Sequence, residues 1–285
     1  MRVGVPAWSP HPDVWLLAAG LVAAYAVAVV RVGPRLAPDP SRPVTTHQRV
    51  AFGFGVVALL LASDWPIHDV AEGYLFSVHM LQHFTYTMVV APLLLIGTPA
   101  WMLRELLLTT RTLGLVRFFA RFGPATVLFN LVVVGTHLPP VVERAVLNPL
   151  FHLGVHTVVL LSALVVWLPV LSPIPEIPRF FAPITMVYLF LQSIIPTVPA
   201  AWLTYGDDVV YKVYERFDRL AGISALEDMR NAGIVMKTVT GGVMWVVIAI
   251  VFFRWYASEE PARRPGKATR HLDRELLELH TSSHP

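Results

Sequence analysis

The chain of 285 residues contains no cysteine. That absence excludes a disulfide, a thiolate metal site, a cysteine nucleophile and an iron–sulfur cluster. Histidine, methionine, carboxylate and backbone oxygen are left as the available metal ligands. Charge is scarce as well. Lys, Arg, Asp and Glu make up 14% of the chain, against roughly a quarter of an ordinary soluble domain. With 55% hydrophobic residues, the composition excludes disordered, collagen-like and disulfide-scaffold classes and argues against a soluble globular enzyme. A Walker loop, a GxSxG elbow, an HExxH pair and a Rossmann fingerprint are all missing. No catalytic constellation emerges, so a non-enzymatic role is expected.

What the sequence has in quantity is long apolar runs. A membrane-spanning helix needs about 20 apolar residues, and seven runs approach that length, at 13–31, 49–63, 74–97, 125–142, 150–171, 180–203 and 233–255. They are continuously apolar and too long for the roughly ten-residue alternation of a membrane barrel. The expected fold is therefore an all-α, polytopic membrane bundle of about seven transmembrane helices over residues 1–256. A polar tail follows at 257–285, with a short amphipathic helix expected at 272–279. The first run is read as a true span and not a signal peptide, because its positive charge follows it at Arg31 and Arg35. The proline-rich stretch 34–43 reads as a stiff linker. The absence of an evident internal repeat weakens a transporter built from inverted halves.

Orientation follows from where Lys and Arg collect. Arg31, Arg35, Arg42 and Arg49 mark the first connection, and Arg104, Arg111, Arg117 and Arg121 the third; these are expected to be cytoplasmic. The second connection carries Asp64, Asp69 and Glu72 with no Lys or Arg, and the acidic segment 204–232 falls on the same, outer side by parity. Arg263, Arg264, Lys267, Arg270 and Arg274 place the tail inside. The amino terminus is expected outside and the carboxyl terminus inside. The net charge of +3 is thus read as a topology signal and not as nucleic-acid affinity.

Eleven histidines are present, and their placement is the most informative feature. His79 and His83 are four residues apart in the third span, so they share one helix face, and His152 and His156 repeat that spacing in the fifth. His137 closes the fourth span. At a rise of about 1.5 Å per residue, His79 and His83 lie roughly 8 and 14 Å from the outer end, His152 and His156 roughly 3 and 9 Å, and His137 about 8 Å. All five fall in the outer half of the membrane, although the spans run in opposite directions. A single histidine near an interface is more often a hydrogen-bonded structural residue. Two i, i+4 pairs and a fifth residue in one layer favour a ligand cluster. Neutral imidazole suits copper, zinc, iron and nickel. His68 in the acidic loop, and Met80 and Met236 as soft ligands for Cu(I), are further candidates, although a methionine in a membrane helix is usually packing.

Other intramembrane polar residues are expected to find partners across helices. Gln82, Asn130, Gln192 and Lys237 each need one, with Lys237 close enough to the boundary to snorkel. Pro183, Pro196 and Pro199 imply a kinked sixth span. Asp64, Asp69 and Glu72 are read either as an acidic entry for a cation or as a solvated loop.

The segment Asp64-Trp65-Pro66-Ile67-His68, followed by Phe76-Ser77-Val78-His79-Met80-Leu81-Gln82-His83, resembles the CtaG-type cytochrome c oxidase assembly factors of bacteria. The likeness continues through Ala91-Pro92-Leu93-Leu94-Leu95-Ile96-Gly97-Thr98-Pro99, His137-Leu138-Pro139-Pro140, Asn148-Pro149-Leu150-Phe151-His152 with His156, and the stretch from Leu226 to Met236. It spans about residues 50 to 250. The resemblance implies a seven-span protein of the bacterial cell membrane that assists maturation of a haem-copper oxidase. Its partner would be the oxidase catalytic subunit, and its cargo copper for the centre in the outer half of the membrane. The family's histidines carry over to His79, His83, His137, His152 and His156, with His68 less secure. Lys237 departs from the aromatic residue the family often has after its methionine. An unrelated single-span copper chaperone of the same name uses cysteines and is excluded here. Two other readings remain open: a haem-binding membrane redox protein, with haem a weaker expectation than copper, and a metal transporter or sensor.

Overall fold

A computed structural model describes residues 6–218, 220 and 222–263. Within them the chain is helical, with no strand among the described residues. Helix α1 (Pro12–Leu36) passes through a π turn at Ala28–Val32 and is followed by α2 (Thr46–Ser63) and the short α3 (Ile67–Gly73). Helix α4 (Phe76–Gly97) contains a second π segment at Thr85–Val90. Three shorter helices then connect to one another: α5 (Ala100–Thr109), α6 (Leu113–Phe119) and α7 (Phe122–Thr136). After α8 (Pro139–Leu147) come the long α9 (Pro149–Leu171), the broken α10 (Ala182–Tyr205) and α11 (Ala225–Arg263).

Five of these helices, α1, α4, α9, α10 and α11, are long and apolar enough to cross a bilayer. Two bent pairs, α2 with α3 at 41° and α6 with α7 at 85°, bring the total to as many as seven. The chain is a multi-pass membrane protein. Apolar side chains on α1, α9 and α11 point outward, among them Leu16, Val30, Leu150, Leu161, Val246 and Phe253, as expected where lipid and not water is the solvent.

Several boundaries differ from the sequence reading for local reasons. The fourth span stops at Thr136 instead of 142, because Pro139 and Pro140 lack the N–H groups that would continue the ladder and instead open α8. The last helix begins at Ala225, inside the stretch read as an outer loop, and extends through 257–263, residues assigned to the tail. Part of the proline-rich linker, Gly33–Leu36, is helical. The sixth span breaks at Ile195-Pro196, near the middle of its prolines. The amphipathic helix expected at 272–279 lies outside the described residues.

Helix α4 is the hub: it packs on α2, α3, α9 and α11. Its start is fixed by a residue far away in sequence. Asp228 on α11, fully buried, accepts the backbone N–H of Phe76 at 2.6 Å and that of Ser77 at 3.0 Å, and also the Ser77 hydroxyl. A carboxylate at a helix N-terminus satisfies otherwise orphaned donors and complements the helix dipole. Helix α9 is capped by Asn148, whose side-chain oxygen accepts from Phe151 N–H at 3.0 Å, with Pro149 at the first helical position. These two caps fix where the two histidine pairs begin. The carbonyl freed by the π segment of α4, that of Thr87, is taken by Trp167 Nε1 of α9 at 2.8 Å. Away from that end, Arg104 pairs with Glu176 and holds its carboxyl below the usual range.

Candidate metal centre

The histidine pairs of α4 and α9 face each other. One ligand atom from each of Glu72, His79, His152 and His156 lies within 4.8 Å of every other. Ring centroids are 5.3 Å apart for His79 and His152, 5.3 Å for His79 and His156, and 4.2 Å for His152 and His156. A metal–nitrogen bond of about 2 Å puts an ion roughly 3 Å from each ring centre, so tetrahedral ligands have centroids about 5 Å apart. The three imidazoles already stand at close to that spacing.

Glu72 sets the chemistry of the cluster. Its Oε1 is 3.2 Å from His79 Nδ1 and its Oε2 is 2.8 Å from His152 Nδ1. An ionised carboxylate only accepts, so both Nδ1 atoms carry the proton and both Nε2 atoms keep a lone pair. Metal-ligating histidines typically donate their second N–H to such a carboxylate, which fixes tautomer and ring orientation. His156 completes the arrangement: its Nε2 lies 2.8 Å from His152 Nε2. Because the latter is a bare acceptor, His156 donates, and an ion held between the two would require that proton to shift to His156 Nδ1, leaving the imidazoles neutral.

His83 adjoins this group without joining its hydrogen bonds. Its ring centre is 4.5 Å from that of His79 and 4.9 Å from that of His156, and its buried Nε2 has no hydrogen-bond partner among the described residues. His137 is farther, 6.1 Å from His83. Its Nδ1 meets the Val133 carbonyl at 2.6 Å, its Nε2 meets Met80 Sδ at 3.2 Å, and its own carbonyl accepts the Tyr211 hydroxyl at 2.8 Å. His68 stands 6.4 Å from His152 on the other side, edge-on to His11 at 4.8 Å. Met236 is buried on α11 near His83 and His137. The structure thus gathers His79, His152 and His156 tightly, places His83 beside them, and leaves His137 and His68 on opposite flanks.

The three carboxylates of the acidic segment all have partners. Asp64 accepts the indole N–H of Trp15 at 2.7 Å, Asp69 pairs with His11 at 2.9 Å, and Glu72 holds the two histidines. Glu72 is the cluster residue that the sequence reading assigned least precisely. It lies seven residues before His79, two helical turns in a continuous helix, but Tyr74-Leu75 interrupts the helix between them. The other intramembrane polar residues do pair between helices. Gln82 donates to the Ala62 carbonyl, Asn130 Nδ2 donates to Gln192 Oε1 at 2.8 Å, and the exposed Lys237 donates to Thr197 Oγ1 at 2.6 Å.

A cavity of about 720 Å³ opens beside the cluster between α1, α2, α4 and α9. Val14, Leu17, Leu153 and Leu160 line its apolar side, and His68, Glu72, His152 and His156 its polar side. His152 and His156 are therefore reachable from this cavity, whereas His79 does not line it. A family model described as cytochrome c oxidase caa3 assembly factor (Caa3_CtaG) matches residues 23–258. No curated protein and no solved structure matches the chain.

Proposed function

The chain belongs to the cytochrome c oxidase caa3 assembly factor family, and on that premise we propose that it receives copper at His79, His152 and His156 and passes it to the oxidase catalytic subunit. The observation that carries this reading is the shared acceptor: one carboxylate, Glu72, holds imidazoles from two different helices that belong to a cluster whose ligand atoms lie within 4.8 Å of one another. Two bonds on one carboxylate align lone pairs, which is what a borderline or soft cation needs.

Delivery differs from storage in that the ion must leave. Three neutral imidazoles with the fourth position open bind less completely than a closed tetrahedral site. An incoming ligand from the acceptor protein can enter at the open position, so that release proceeds by ligand exchange. The cavity between α1 and α9 gives that ligand a lateral approach. In this proposal the histidines lie toward the outer face of the bacterial cell membrane, with the amino terminus outside and the tail inside, and the role is non-catalytic.

The test is made in cells. With His152 and His156 both replaced by alanine, the oxidase polypeptides should still reach the membrane, while oxidase activity and copper per oxidase fall together. Unchanged copper content and activity in that strain would overturn the proposal.

A further inference from the structure

Five histidines share one end of the bundle, but the donor atoms divide them into two groups. The first, around Glu72, is held by a carboxylate. The second has no carboxylate in its lining: Met80, His83, His137 and Met236 border a cavity of about 50 Å³ one helical turn further along α4. We propose that these four residues form a second cation site, suited to Cu(I). This inference rests on the reading of the chain as a copper handler and adds a second station to it.

The central observation is the contact between His137 and Met80. His137 Nδ1 lies 2.6 Å from the Val133 carbonyl, which can only accept, so the ring proton sits on Nδ1. Nε2 is then a bare lone pair, because an imidazolium buried to 5% exposure without a carboxylate partner is too costly. That lone pair faces a thioether sulfur at 3.2 Å, and the sulfur has no proton to offer either. Two acceptors at this distance make no hydrogen bond. They stand as adjacent ligands of one cation would.

Two further observations are independent of that pair. His83 Nε2 is buried and unpartnered among the described residues, and His83 lines the same cavity. A buried polar atom in that state needs an explanation, and a bound ion is one. The His83 and His137 ring centres, 6.1 Å apart, sit at the wide-angle limit for two imidazoles on one ion, given about 3 Å from ion to ring centre. A wide angle between the two imidazoles is tolerated by a monovalent d10 ion, and thioether sulfur selects Cu(I) over divalent competitors. Met236 supplies a second sulfur to the cavity wall. A divalent ion would find no charge compensation there. His83 also touches the rings of His79 and His156, so an ion can move between the stations by exchanging one imidazole at a time.

The experiment uses the purified full-length protein. Under reductant, Cu(I) is titrated against a competing chelator in the wild type and in Met80→Leu/Met236→Leu, with Zn(II) as the control ion, and the wild-type complex is examined by X-ray absorption. Two Cu(I) per chain in the wild type, one in the variant, a sulfur neighbour in the wild-type spectrum and one Zn(II) in both proteins is the expected result. A wild-type spectrum of nitrogen and oxygen neighbours alone, or a Cu(I) stoichiometry the variant does not change, overturns the second site only. A wild type that binds no copper overturns the copper-handling reading as well. The wild-type spectrum decides the matter even where the variant does not fold.

Discussion

Glu72 Oε2 and His152 Nδ1 meet at 2.8 Å, joining α3 to α9 at the mouth of the histidine cluster. The same carboxylate reaches His79 on α4 with its other oxygen. Substituting Glu72→Gln puts an NH2 group against one of two Nδ1–H donors, so one ring must rotate or change tautomer. Metal affinity should fall about 10- to 100-fold, the typical cost of losing such a partner. Competition with a chromophoric chelator measures it, and an unchanged affinity would show that the carboxylate does not orient the ligands.

The buried cap of α4 gives a second test. Asp228→Ala removes the acceptor from the N–H groups of Phe76 and Ser77 and from the Ser77 hydroxyl. Leaving buried donors unsatisfied costs about 1–3 kcal/mol, read as a lower thermal unfolding midpoint in detergent. Asp228→Asn keeps one acceptor oxygen and should lose less. The two variants should also weaken metal binding in the same order, because His79 follows this cap by one turn.

Helix approach is tightest at two glycines. A Cβ at Gly97 would come within 2.6 Å of the Phe52 backbone, and one at Gly233 within 2.5 Å of the Ala200 carbonyl oxygen. Gly97→Ala and Gly233→Ala should each destabilise by about 1–3 kcal/mol through overpacking. Gly20→Ala, where a Cβ meets nothing within 4 Å, should not. Thermal unfolding of the three variants side by side checks the assignment.

Between α7 and α10 the buried Asn130–Gln192 hydrogen bond is the polar link. A double-mutant cycle with Asn130→Leu and Gln192→Leu should give a coupling of about 0.5–1.5 kcal/mol, the range for such bonds in membrane bundles. A coupling near zero would mean that the unfolded chain in the bilayer finds equivalent partners.

The spans and the facing histidine pairs were legible because they rest on periodicity. Apolar runs of bilayer length mark helices, and i, i+4 spacing puts His79 with His83, and His152 with His156, on single faces. The breaks were less legible, being set by short-range backbone chemistry: Pro139-Pro140 ended α7 early, and Ser224 with Glu227 caps a helix that starts in an acidic stretch. The division of the five histidines into two groups was not legible at all. It depends on which ring nitrogen faces a carboxylate, a carbonyl or a sulfur, and depth along a helix does not encode that. Asp228 falls within the stretch from Leu226 to Met236, but its task as the cap of a helix more than a hundred residues earlier needs the packing of α11 on α4.

The most direct test of a Glu72-oriented imidazole site is the metal content of the purified protein. Wild type and His152→Ala/His156→Ala are loaded with Cu(II) without reductant and desalted, and copper per chain is measured alongside helix content by circular dichroism. One tightly held Cu(II) in the wild type and none in an equally helical variant is the expected result. Equal copper in both proteins, or no stoichiometric copper in the wild type, contradicts it.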